Sequence, residues 1–150
     1  MGQQRYEKYK DTKIALAVEE LDGYRMRKQQ ILRLKERRLH LEDEMESIKA
    51  MRYDIVRVQG GKMKDAVIEM IVEWAEVGDK IEKLILDNER EMNLIEEKIQ
   101  RLKADEQQVI VFYYVNGKSV NETAAQMHLS FEGLKKLKKR ALRAYADVTL

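Results

Sequence analysis

Residues 105–143 read DEQQVIVFYYVNGKSVNETAAQMHLSFEGLKKLKKRALR, and their punctuation decides the fold. Asp105 stands where a helix can be capped, with Gln108 three residues on as in a capping box, and Val109, Ile110, Phe112, Tyr113 and Val115 supply an apolar face. Asn116-Gly117 ends that helix, because glycine just past a C-terminus adopts the left-handed backbone without a Cβ clash. Ser119, with Glu122 three residues later, opens a short helix to Met127; His128 and Leu129 turn the chain; Ser130 caps a last helix from Phe131 to about Tyr145.

Two short helices joined by a tight turn, the second strongly basic, form a helix-turn-helix pattern. Ala124 falls where the two helices come closest, so a small side chain is required there. In the last helix Leu134, Leu137, Ala141 and Ala144 share one face, while Lys135, Lys136, Lys139, Arg140 and Arg143 lie on the other. Residues 105–150 hold seven basic and five acidic side chains; six of the seven bases fall between Lys135 and Arg143, and no acid interrupts that run. A charge run alone is an ordinary solvated face. Tandem caps, helix spacing and the missing acids together point instead to nucleic acid.

Working back along the chain, Val67, Ile71, Trp74, Gly78, Ile81, Ile85, Asn88, Met92, Ile95, Ile99 and Leu102 alternate steps of four and three without a miss. That is a coiled-coil seam. Asn88 within it costs stability but can fix register or strand number, and Gly78 permits close backbone approach or makes a weak spot; both read equally well as tolerated imperfections of the seam. From about Asp11 to Ala50 a second stripe recurs at three, four or seven: Ile14, Val18, Leu21, Tyr24, Ile31, Leu34, Leu41, Met45 and Ile48. Between the stripes, residues 51–61 read as a connection, with the alternation Ile55, Val56, Arg57, Val58, Gln59 leading into Gly60-Gly61. The expectation is an all-α chain: a long antiparallel helical hairpin over residues 1–104, then the helix-turn-helix module over residues 105–150. Apolar residues outside the seam, Leu32, Ile68, Met70, Val72, Leu84 and Leu94, are covered either by a second hairpin in a four-helix homodimer or by the C-terminal module.

Composition agrees. With 37% charged residues, no proline and seven glycines in 150 residues, the chain favours long solvated helices over a turn-rich β fold. It has no cysteine, which excludes disulfides, thiolate metal sites and thiol nucleophiles and fits a cytoplasmic protein. The polar start, Met-Gly-Gln-Gln-Arg-Tyr, is no signal peptide, and no apolar run reaches membrane-spanning length.

The segments Asp105–Ile110, Tyr113–Ser130 and Lys139–Arg143 resemble region 4 of sigma-70-type factors, and are more similar still to small bacteriophage regulators of the RinA and ArpU kind, which set a helical portion before such a module. The resemblance implies that Ala124 packs the two helices, that Ser130 caps the recognition helix, and that Phe131, Glu132, Lys135 and Lys136 meet base edges. It implies phosphate contacts for Ser119, Ser130, Lys138, Lys139, Arg140 and Arg143. A glutamate can accept from a cytosine amino group and a lysine can donate to guanine. Three positions depart from the pattern: Thr123 replaces a branched apolar residue, His128 replaces the turn glycine, and Gly133 sits in the first turn of the reading helix. Histidine tolerates left-handed backbone better than most non-glycine residues, which keeps the turn feasible.

Catalysis finds no support. His40 and His128 are far apart and lack metal spacing, the glutamates alternate with bases as solvated faces do, and Gly60-Gly61-Lys62 lacks the rest of a phosphate loop. No metal or cofactor is expected. Trp74, Tyr24 and the methionines keep core spacing. Tyr6, Lys8, Tyr9, Lys10 and Lys13 make a basic, aromatic N-terminus, read as frayed. The expected function is sequence-specific binding of double-stranded DNA by a phage or prophage late-gene activator, with the hairpin dimerising or touching RNA polymerase; the alternative is a coiled-coil adaptor that binds a protein such as polymerase without reading DNA.

Overall fold

The computed structural model describes the backbone of residues 2–58 and 62–150 and the side chains of residues 12–51 and 65–150. Five α-helices follow one another: α1 (Gly2–Val58), α2 (Lys62–Gln100), α3 (Ala104–Ile110), α4 (Val120–Gln126) and α5 (Phe131–Ala146), with a π-helical turn Val111–Val115 between α3 and α4. There is no strand among the described residues. The chain forms two compact units, one of residues 1–28 with 90–150 and one of residues 29–89.

Two expectations about α1 are corrected. It begins at Gly2 rather than near Asp11, and it runs on to Val58 instead of giving way to a connection at residue 51. No glycine or proline stands between Gly23 and Gly60, so each added residue gains a backbone hydrogen bond and nothing stops propagation. The alternation at residues 55–59 is too short to outweigh that. Gly60-Gly61 lies outside the described residues, as do the side chains of Tyr6, Lys8, Tyr9 and Lys10.

In the unit of residues 29–89 the two long helices run antiparallel, fixed by Arg38 donating to Glu82 at 2.7 Å and by Lys35 with Glu89 at 3.6 Å. Ile31, Ile81, Ile85 and Asn88 are buried, and Val67, Ile71, Trp74 and Gly78 are half-buried. A Cβ at Gly78 would lie an ordinary 3.6 Å from Leu41, so no close backbone approach requires this glycine. Asn88 Nδ2 donates to the Leu84 carbonyl one turn back, at 2.9 Å. Leu32, Met70, Val72 and Leu84 are exposed.

The other unit holds the larger core. Leu21 and Tyr24 of α1 and Ile95 and Ile99 of α2 pack with Val109 and Ile110 of α3 and with Leu134, Ala141 and Tyr145 of α5. Leu21, Ile95, Ile110 and Ala141 are fully out of water. At about 1.5–3 kcal/mol for each large apolar side chain so buried, this shared core dominates the unit's stability. The last seam residue, Leu102, is buried beyond the end of α2. Leu94 is exposed.

The start of α3 differs from expectation. Lys103, not Asp105, is the N-cap and gives no side-chain cap. Asp105 instead sits inside the first turn, where its Oδ1 accepts from the Glu106 amide at 2.8 Å. Gln107 Nε2 donates to the Gln100 and Leu102 carbonyls, both at 2.9 Å, satisfying acceptors that the end of α2 leaves open.

Candidate nucleic-acid interface

The π-helical turn is the first device that shapes this face. Asn116 N–H donates to the Val111 carbonyl at 2.8 Å, five residues back, and Lys118 N–H returns to the Phe112 carbonyl at 3.0 Å past Gly117, whose φ is +68°. The widened turn buries Tyr114 and leaves Phe112 and Tyr113 half-exposed, the rings of Tyr113 and Tyr114 meeting edge to face at 4.8 Å. Nothing in the apolar spacing announces it.

The next two helices start as their caps predict. Ser119 Oγ accepts from Glu122 N–H at 3.1 Å, and Ser130 Oγ accepts from Gly133 N–H at 3.1 Å. Gly133 suits this cap, since a Cβ there would lie 3.0 Å from Ser130 Oγ. Thr123 is wholly buried, and its hydroxyl donates to the Ser119 carbonyl at 2.8 Å, so a β-branched side chain fills the expected apolar place with its polar atom satisfied. Ala124 is buried where α4 meets α5. Between them Leu129 N–H donates to the Ala124 carbonyl at 2.9 Å, and His128 takes φ 56°, the left-handed conformation that a glycine would otherwise supply.

Leu134, Leu137, Ala141, Leu142 and Tyr145 of α5 face the core, and Lys138, Ala144 and Ala146 are half-buried. Glu132, Lys135, Lys136, Lys139 and Arg143 are exposed, and Lys136, Lys139 and Arg143 form no ion pair among the described residues. Phe131 is exposed at the head of the helix, and Lys135 Nζ stands over its ring, 4.5 Å from the centroid. Ser119 and Ser130 are also exposed, each already committed to its cap.

Two candidate phosphate contacts are engaged elsewhere. Lys138 is half-buried with its ammonium 3.7 Å from the centre of the Tyr113 ring. Arg140 is paired with Asp105, and its Nε lies 3.4 Å from Oε1 of Glu106, whose side chain is only 5% exposed. Both cations tie α5 to the segment before it. Read along the chain, Asp105 and Glu106 are only helix-start residues; the signal that could have found this partnership is two adjacent acids in a module otherwise poor in them.

Asn88 belongs to the unit of residues 29–89. Among the described residues no three His, Asp or Glu side chains come together as a metal site, and no helix is long and apolar enough to cross a membrane.

Residues 92–144 match the family model of sigma-70, region 4, from the last turns of α2 almost to the end of α5. No curated protein and no solved structure matches the chain. The matched part, a capped helix-turn-helix with a basic outer helix, is a sigma-70 region 4-like domain, and it supports a DNA-binding regulatory role for the chain.

Proposed function

We propose that this protein is a sequence-specific regulator of transcription that lays α5 in the major groove of double-stranded DNA, and that it activates late genes of a phage or prophage in the manner of RinA- and ArpU-like regulators. The observation that carries the reading is the set of exposed cations Lys135, Lys136, Lys139 and Arg143, with no acid between them in the sequence, on a helix whose start is fixed by the Ser130 cap. Phosphates take Lys139 and Arg143 and supply most of the affinity, while Phe131, Glu132, Lys135 and Lys136, in the first two turns, face base edges. On this reading residues 105–150 are the reading module. Residues 1–104 serve to pair two copies or to touch RNA polymerase in the cytoplasm, and the exposed Leu32, Met70, Val72 and Leu84 favour a homodimer.

Fluorescence anisotropy against pooled upstream fragments of the encoding genome, over a salt series, tests this. The wild type selects a fragment, and Lys135→Ala with Lys139→Ala binds it more weakly with a shallower salt slope, by about 0.9 for each phosphate that is no longer neutralised. Equal binding by the variant, or no preference over random DNA, would leave the protein-adaptor reading. Sedimentation equilibrium at micromolar concentration decides the dimer, since a clean 17.8 kDa species excludes it.

A further inference from the structure

Among the described Phe, Tyr and Trp side chains, Phe131 alone is exposed. The others are buried or half-buried: Tyr24, Tyr114 and Tyr145 lie in the core, and Trp74, Phe112 and Tyr113 are partly covered. At 48% exposure Phe131 keeps much of its apolar surface in water, an arrangement that a stability argument alone does not explain. It occupies the first position of α5, beside Ser130, whose capping bond to Gly133 fixes the direction in which the helix starts. Lys135, one turn later, rests its Nζ over the ring, 4.5 Å from the centroid.

We propose that Phe131 reads the C5-methyl group of a thymine in the major groove, and that its ring aims the Lys135 ammonium at the O6 and N7 acceptors of a neighbouring guanine. This rests on the DNA-binding reading above and specifies what that site recognises. The chemistry follows from what a base pair displays there. Of the four bases only thymine offers an apolar group in the major groove, and an apolar side chain at a recognition-helix N-terminus is placed to cover it. Guanine presents two adjacent acceptors and no donor on that edge, which suits an ammonium with three donors. A lysine free in solvent samples many rotamers; one resting on an aromatic face is held partly in place before DNA arrives. Glu132, the next residue, disfavours acceptor-rich base edges next to itself.

The test starts by selecting binding sites from a random duplex library with the full-length protein. Each thymine of the selected site is then replaced singly by uracil, which removes only the methyl group, and affinities are compared for wild type, Phe131→Ala and Phe131→Leu. The expected result is one thymine at which uracil weakens wild-type binding about fourfold, as uncovering one methyl predicts. Phe131→Ala binds the thymine and uracil duplexes equally, and Phe131→Leu, which retains apolar surface, keeps part of the discrimination. Lys135→Met at the same time relaxes preference at an adjacent guanine. Thermal unfolding of each variant checks that an exposed position has been changed without loss of fold. If a site is selected but no uracil substitution separates wild type from Phe131→Ala, the proposal is overturned while DNA reading stands, and the exposed ring then belongs to a protein contact. If no site is selected, the DNA-binding reading itself falls and this inference with it.

Discussion

The hydroxyl of Tyr145, near the end of α5, donates a 2.7 Å hydrogen bond to Oε1 of Glu20 in α1. Lys98 of α2 donates to both oxygens of the same carboxylate, at 3.0 and 3.2 Å, and lies 5.5 Å from the Tyr145 ring centre. Three helices separated widely in sequence therefore meet at one carboxylate beside the core. Tyr145→Phe is expected to lower the unit's stability by about 1.5–3 kcal/mol, the range for a hydrogen bond to a charged group. Glu20→Ala should cost more, because Lys98 and Tyr145 lose their acceptor together. Urea denaturation followed by circular dichroism measures both, and equal, negligible effects would show that the junction is held by apolar packing alone.

The same unit has a defined response to alkali. Burial first, then the hydrogen bond that Tyr24 Oη donates to Glu96 at 2.6 Å, pushes the Tyr24 hydroxyl from its ordinary 10.0 up to about 12. Burial, followed by the charge of Asp22, pushes Tyr114 to about 12, and Tyr145 is raised by burial and by Glu20. A raised tyrosine favours the folded state in full below pH 10, and that contribution is lost as pH rises through about 12. Stability should accordingly be insensitive to these groups at pH 7–9 and fall steeply between pH 10 and 12. Tyr24→Phe, which cannot ionise, should flatten the decline, and absorbance of tyrosinate against pH would show whether these rings titrate late.

Arg140 and Lys139 are neighbours with different tasks. Arg140 holds Asp105 and the nearly buried Glu106, whereas Lys139 makes no ion pair among the described residues. Arg140→Ala should destabilise by about 1–2 kcal/mol, tempered by the half-exposed guanidinium, and leave the salt slope of DNA binding nearly unchanged. Lys139→Ala and Arg143→Ala should do the reverse, each removing about 0.9 from the slope with little change in the melting temperature. A shallower slope for Arg140→Ala would mean that the arginine leaves its acids when DNA binds.

The sequence announces the helices and the Ser119 and Ser130 caps, misplaces the cap of α3, and shows the long-range pairings poorly. The seam from Val67 to Leu102 needs only periodicity, and each of its eleven positions is buried or half-buried. Ser119 and Ser130 act over three residues, a range that a single chain displays directly. Residues 51–58 mislead because a short alternation resembles a strand until the absence of any breaker is weighed. The Arg140–Glu106 and Tyr145–Glu20 pairs span 34 and 125 residues, and the charge run itself offers no means of telling an engaged cation from an available one.

His128 offers a test in which the sign of the effect carries the information. Its φ of 56° is required by the turn from α4 into α5, a conformation that costs an L-residue about 1–2 kcal/mol and glycine almost nothing. Against that, glycine gives the unfolded chain more freedom, at about 0.5–1 kcal/mol. The difference leaves His128→Gly more stable by up to about 1.5 kcal/mol. His128→Val, whose branched Cβ clashes in the left-handed region, should lose about 1–2 kcal/mol or more. Because His128 is exposed, neither change disturbs the core, so melting temperatures report the backbone term directly. If His128→Gly instead destabilises the protein, the imidazole contributes an interaction of its own to the turn, and DNA binding by that variant would be the next quantity to measure.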